Sequence, residues 1–88
     1  MDWNLYAWLK RGKRRLSILK IILNSNKPLS VNDIKRISKI AISQSSLSIK
    51  ELKEKNLIIC LNPKDKIGRI YSINDKNKKL INEVINHD

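Results

Sequence analysis

Two short runs of helical periodicity, parted by an interruption of four residues, constrain this chain more than any other feature. In SVNDIKRISKIAISQSSLSIKELKEKNL, residues 30–57, Val31, Ile34, Ile37 and Ile40 recur at every third position, which sets them along one face of a helix. Ser30 with Asp33 three residues later is a capping pattern placed just before that run. Ser38-Lys39-Ile40-Ala41 breaks the period, and Ile42, Ile49 and Leu52 resume it with heptad-like spacing. A first helix, a tight turn and a longer amphipathic helix, decorated by Lys35, Arg36, Lys39, Lys50, Lys53 and Lys55, make the pattern of a helix-turn-helix.

The remaining 60 or so positions must complete one domain around this unit, because 88 residues allow no second one. A chain of this size buries only about 60–65% of its unfolded surface, so a second copy is a natural supplement to its stability. The single cysteine, Cys60, excludes an intramolecular disulfide, and its LIICL setting predicts a buried thiol in a reducing cytoplasm. Apolar runs fall far short of the ~20 residues that span a bilayer. The N-terminus shows no cleavable signal pattern. A cytoplasmic chain with no membrane contact is the expectation.

Charge adds direction. Of the net +11, residues 1–29 carry seven basic and one acidic side chain, residues 30–56 six and three, and residues 57–73 three and one. Residues 74–88 carry three of each and cancel. A positive field over the first three quarters of a chain, coinciding with a helix-turn-helix, points to a polyanion and above all to double-stranded DNA.

The flanking segments complete the order. MDWNLYAWL, residues 1–9, places Trp3, Tyr6 and Leu9 at three-residue spacing with Leu5 and Trp8 beside them, predicting a short helix. So many large apolar groups need a surface to cover, either their own core or a second subunit. Lys10-Arg11-Gly12-Lys13-Arg14-Arg15 follows, with Gly12 bending the chain and the cations suited to phosphates. Leu16, Ile18, Leu19, Ile21, Ile22 and Leu23 cover more than one helical face, so that helix is covered from two sides. Asn24 to Pro28 is a loop, and Leu29 is expected to make a single strand bridge. After the stop at Lys55-Asn56, Leu57–Leu61 and Arg69–Ile73 read as two strands joined by the turn-rich loop Asn62–Gly68. Asn74 caps a final helix, residues 75–86, with Leu80, Ile81, Val84 and Ile85 as its apolar stripe. The predicted fold is therefore mainly α with a small β-hairpin: a winged helix-turn-helix in the order helix, helix, helix, strand, wing, strand, helix. The hairpin needs the helices beneath it to be stable.

Four motifs in this order resemble the small archaeal winged-helix transcriptional regulators related to the MarR and ArsR groups. Trp8 stands upstream of Gly12-Lys13-Arg14-Arg15, and Pro28-Leu29-Ser30 precedes the second main helix. Lys50 to Ile58, KELKEKNLI, is similar to the close of their recognition helix. Gly68 to Lys76, GRIYSINDK, is similar to their passage from wing to last helix. Departures are visible too. Asn56 and Asn77 replace usual glycines, Lys39 sits where the turn often has one, Ser45 takes an apolar position, and Leu47 stands where a polar contact residue is common.

The resemblance implies a homodimer on duplex DNA, with helix 42–55 in the major groove and the wing, residues 62–69, on the flanking backbone or minor groove. Base contact then falls to Ser43, Gln44, Ser46, Leu47 and Lys50. Gln44 can pair with adenine through two hydrogen bonds, and Leu47 can cover a thymine methyl or pack on protein. The helix lacks arginine, which predicts weak discrimination or a preference for A·T-rich sites. Arg14, Arg15, Lys35, Arg36, Lys39 and Lys53 are the phosphate candidates, with Lys64, Lys66 and Arg69 on the wing. Trp3, Tyr6 and Trp8, with Leu80, Ile81, Val84 and Ile85, are the candidates for the dimer interface, which is preferred to the core for the last helix.

Other classes have less to stand on. One Cys and one His, His87, make no metal quartet and no Cys–His pair, carboxylates are dispersed, and no Gly-rich phosphate loop occurs. No enzyme, metal, cofactor or small-molecule effector is expected. A winged helix that docks on protein in transcription or replication machinery is the alternative. RNA binding ranks below it, for want of an aromatic stacking platform beyond Tyr71.

Overall fold

The computed structural model describes residues 1–87, which form a mainly helical domain with a small three-stranded antiparallel sheet. Helix α1 spans Trp3–Arg11 and is capped by Asp2, whose carboxylate accepts from the Leu5 N–H at 3.0 Å. It stops at Gly12, and α2, Lys13–Asn24, begins at once. A Cβ at position 12 would collide with the Arg15 guanidinium, which crosses the corner between the two helices.

Strand β1, Leu29–Ser30, runs straight into α3, Val31–Ser38. The Ser30 hydroxyl accepts from Asp33 N–H, and the Asp33 carboxylate accepts from Ser30 N–H, both at 3.1 Å. The expected cap is thus a complete reciprocal box. Lys39 ends α3 at φ +64°, its N–H bonded to the Lys35 carbonyl at 2.8 Å, so the lysine adopts the left-handed conformation usually left to glycine. Helix α4, Ile42–Glu54, closes in a Schellman turn. Asn56 has φ +61°, its N–H bonds the Lys53 carbonyl, and Leu57 N–H bonds the Leu52 carbonyl at 3.1 Å. Leu52 and Leu57 are both buried in the core.

Strands β2, Ile58–Cys60, and β3, Ile70–Ile73, pair antiparallel with Ile58 opposite Ile73 and Cys60 opposite Tyr71. β1 takes the other edge of β3, with Leu29 opposite Tyr71, giving the order β1-β3-β2. Both hairpin strands are shorter than expected, since Leu57 is taken by the helix-ending turn and Leu61 and Arg69 fall to the loop. Cys60 lies at the end of edge strand β2 and is half-buried, not enclosed. Beyond β3, Asn74 caps a single 3₁₀ turn, Asp75–Asn77, and α5 runs Lys78–Ile85. The expected helix 75–86 is therefore two pieces. The side-chain amides of Asn74 and Asn77 both donate to the Asn56 carbonyl, at 3.0 and 2.7 Å, tying the start of the last helix to the end of α4.

Leu9, Ile18, Leu19, Ile34, Leu52 and Ile81 meet in one core to which every helix contributes. Three expectations are corrected here. Ile37 is 50% exposed, because each three-residue step falls about 60° short of a full turn and carries the stripe off the inner face. Ile42 is likewise on the surface. Ile81 and Val84 are buried in their own chain at 0% and 3% exposure, beneath α1 and the rest of the core. They are core residues, unavailable to a partner. Ser45, at an apolar position as the sequence suggested, is fully buried and satisfied in place: its hydroxyl donates to the Ile40 carbonyl at 3.2 Å, so its burial leaves no orphaned donor.

Candidate nucleic-acid interface

Helix α4 buries Ser45, Ser48, Ile49 and Leu52, which fixes what the other side presents. Ser43, Ser46, Leu47 and Lys50 are exposed, and Gln44 is half-buried on one flank. The five positions expected to contact bases thus share the outward side. Leu47 is 54% exposed, which removes it from the core. No side chain caps the helix start at Ala41, so its first-turn N–H groups add partial positive charge there.

A groove lies on each side of this ridge. One, of about 500 Å³, runs between α4 and the start of α2 and is bounded by Arg11, Lys13, Arg14, Arg15, Gln44 and Glu51 among others. The other, of about 320 Å³, runs between α4 and β3 and is bounded by Ser46, Lys50, Lys53, Arg69 and Tyr71, with Val31 and Ile49. Cations line both.

These cations are not equally free. Arg15 is drawn into the fold, with its side chain 17% exposed. It donates to the Trp8 carbonyl at 2.5 Å and to Glu51 at 3.3 Å, and its guanidinium lies 3.9 Å from the Trp8 ring centroid. Its expected role at a phosphate is corrected accordingly: Gly12 leaves room for it to turn inward. Its Nε is buried with no hydrogen-bond partner among the described residues. Arg14 is exposed and donates to Gln44 Oε1 at 3.0 Å. On α3, Lys35, Arg36 and Lys39 are exposed, and Arg36 pairs with Asp33 at 2.8 Å. The Ser30 backbone N–H foremost, and then Arg36, hold the Asp33 carboxyl below its ordinary pKa of 3.8.

The loop between β2 and β3 is folded around two side chains. Asn62 accepts from Ile70 N–H at 2.8 Å and donates to Asp65 and the Gly68 carbonyl. Arg69 donates to the carbonyls of Asp65 and Pro63 at 2.6 and 3.2 Å. Its guanidinium therefore shapes the loop instead of extending from it, and Lys64 and Lys66 are the exposed cations. Gly68 takes φ +72° to let the chain return. Ile67 stands at the tip, 91% exposed.

The N-terminal aromatics divide as well. Trp8 is half-buried between Arg15 and Lys55, the Lys55 amine 5.3 Å from its ring centroid. Trp3 is 59% exposed and meets Tyr6 and His87 edge-on at 5.7 and 5.1 Å. Leu80 and Ile85 are half-buried against the core. Sequence reasoning found neither the Arg15–Trp8–Glu51 cluster nor the Arg14–Gln44 bond. Gly12 beside a basic run was the one local sign of the first.

No protein family, curated protein or solved structure matches this chain, so the resemblance drawn from its motifs rests on those motifs. Among the described residues no helix is long and apolar enough to cross a membrane, and no three His, Cys, Asp or Glu side chains gather into a metal-binding group.

Proposed function

We propose that this chain is a winged helix-turn-helix domain that binds duplex DNA as a transcriptional regulator, with α4 in the major groove and residues 62–69 as the wing. One observation carries the reading: α4 exposes its polar ridge between two grooves that both bear cations. The major groove of B-DNA is about 12 Å wide, admits a single helix, and has a phosphate strand on either side. Lys13 suits one strand, and Lys50 and Lys53 the other. Lys64 and Lys66 extend the second contact along the flanking backbone. Half-sites about one helical turn apart need two copies. The exposed Trp3 with Tyr6, and the half-buried Leu80 and Ile85, are the surface proposed to join them, now without Ile81 and Val84.

The test is duplex affinity measured across a salt series. Replacing Lys13 or Lys53 with Gln should each flatten the plot of log K against log salt by about one unit. Unchanged slopes for both would move the binding surface elsewhere. A protein-docking winged helix is the second reading, and it is favoured by Leu47, 54% exposed at the middle of the ridge. Absence of salt-dependent duplex binding by the intact chain would leave that reading in the field and remove the first.

A further inference from the structure

Arg14 on α2 and Gln44 on α4, thirty positions apart in sequence, meet at the rim of the groove beside the exposed ridge. The 3.0 Å contact has only one chemical sense. A guanidinium carries donors alone, so the glutamine atom facing it is the carbonyl oxygen and the amide NH₂ points away. Among the described residues Glu51 is the one carboxylate bounding that groove, and it pairs with Arg15 at 3.3 Å.

This arrangement changes what Gln44 can read. A carboxamide recognises adenine by accepting from its N6 amino group while donating to N7. Here the oxygen is engaged, and an adenine amino group approaching its second lone pair would meet guanidinium N–H groups, donor against donor. Guanine presents O6 and N7, two acceptors and no donor, on the same edge. The Gln44 amide and the remaining Arg14 N–H groups are a matching set of donors. α4 contains no arginine of its own, yet α2 delivers one to its reading side.

Resting on the DNA-binding reading above, we infer that Arg14 and Gln44 act as one donor-only unit that selects guanine over adenine at one position of each half-site. This reverses the A·T preference expected from α4 alone.

Selection of bound duplexes from a random pool, run on the intact chain and on Arg14→Ala, Arg14→Lys and Gln44→Ala, tests it. The intact chain should enrich guanine at one position, and placing adenine there should weaken binding about tenfold. Arg14→Ala should shift that position toward adenine, because Gln44 regains its acceptor. Arg14→Lys keeps both the charge and a donor-only group, so it should keep the salt slope and a weakened guanine preference with no shift toward adenine, whereas Arg14→Ala alone releases adenine reading. Gln44→Ala should reduce the guanine preference without creating an adenine one. Arg14 is exposed and Gln44 is half-buried outside the core, so thermal melts close to the parent's are expected and serve as the folding control. Adenine enriched by the intact chain, or a guanine preference indifferent to Arg14→Ala, would overturn the inference while leaving DNA binding in place. No duplex binding at low salt would refute the DNA reading itself, and the inference with it.

Discussion

Gly12→Ala should destabilise the domain through a side chain three residues away. The backbone at Gly12 has φ −112° and ψ 79°, a negative φ open to alanine, so backbone strain is not the source. The new methyl would overlap Arg15 Nε, Cζ and Nη2, and the guanidinium must leave. Departure breaks its hydrogen bond to the Trp8 carbonyl and its stacking on the Trp8 ring. A hydrogen bond from a charged donor contributes roughly 1.5–3 kcal/mol, and a cation–π contact roughly 0.5–2 kcal/mol. The Glu51 pair adds little, because that carboxylate is 35% exposed and screened. Regained arginine side-chain freedom returns up to about 2 kcal/mol, and alanine in the unfolded chain returns about 0.4–1 kcal/mol. Rehydration of the Arg15 Nε, buried without a partner among the described residues, returns about 1 kcal/mol more, so the net expectation is a loss of up to about 1 kcal/mol, and each kcal/mol lowers Tm by roughly 4–8 °C in a domain of this size. Urea melts followed by tryptophan fluorescence should be run on the parent, Gly12→Ala, Arg15→Ala and the double variant. In the Arg15→Ala background the glycine substitution should be neutral or slightly stabilising. The same cost in both backgrounds would refute the reasoning.

Ile81→Ala should cost about 2–5 kcal/mol in urea melts, whereas Trp3→Ala should stay within about 0.5 kcal/mol and weaken self-association in sedimentation; the opposite ordering would return α5 to the surface. Asp33 is held below its ordinary pKa of 3.8, so its contribution to stability is complete above the pH at which the unfolded carboxyl titrates. It is lost as pH falls through the lower folded value. Asp33→Asn should remove that part of the pH dependence between pH 6 and pH 2, and an unaltered profile would show that the carboxylate contributes nothing. Lys39→Gly relieves the left-handed backbone at φ +64° and should gain about 1 kcal/mol; a lower melting temperature would contradict that account.

Local chemistry made much of the fold legible. Ser30 and Asp33 sit within one turn, so their mutual capping follows from spacing alone, and Asn56 marks its own left-handed position. What periodicity cannot specify is the identity of the covering surface. The Leu80-Ile81-Val84-Ile85 stripe declares an apolar face, but only tertiary packing decides that α1 and the core cover Ile81 and Val84. The basic run shows the same boundary. Lys10 to Arg15 reads as uniform charge, yet its members have unlike fates: Lys10 lies 5.4 Å from the Tyr6 ring centroid, Arg14 bonds Gln44 and Arg15 bonds Glu51. Those last partners are thirty or more positions away, beyond any local pattern.

Ser30 belongs to two elements at once, opposite Ile70 as the last residue of β1 and capping α3 through its hydroxyl. The base of the β2–β3 hairpin is thereby joined to the helix pair, and the last backbone rung outboard is Leu61 N–H to the Ile70 carbonyl at 3.0 Å. The separation between α4 and the base of the hairpin is a fixed gauge, and Lys64 and Lys66 ride on a loop whose shape Asn62 and Arg69 hold.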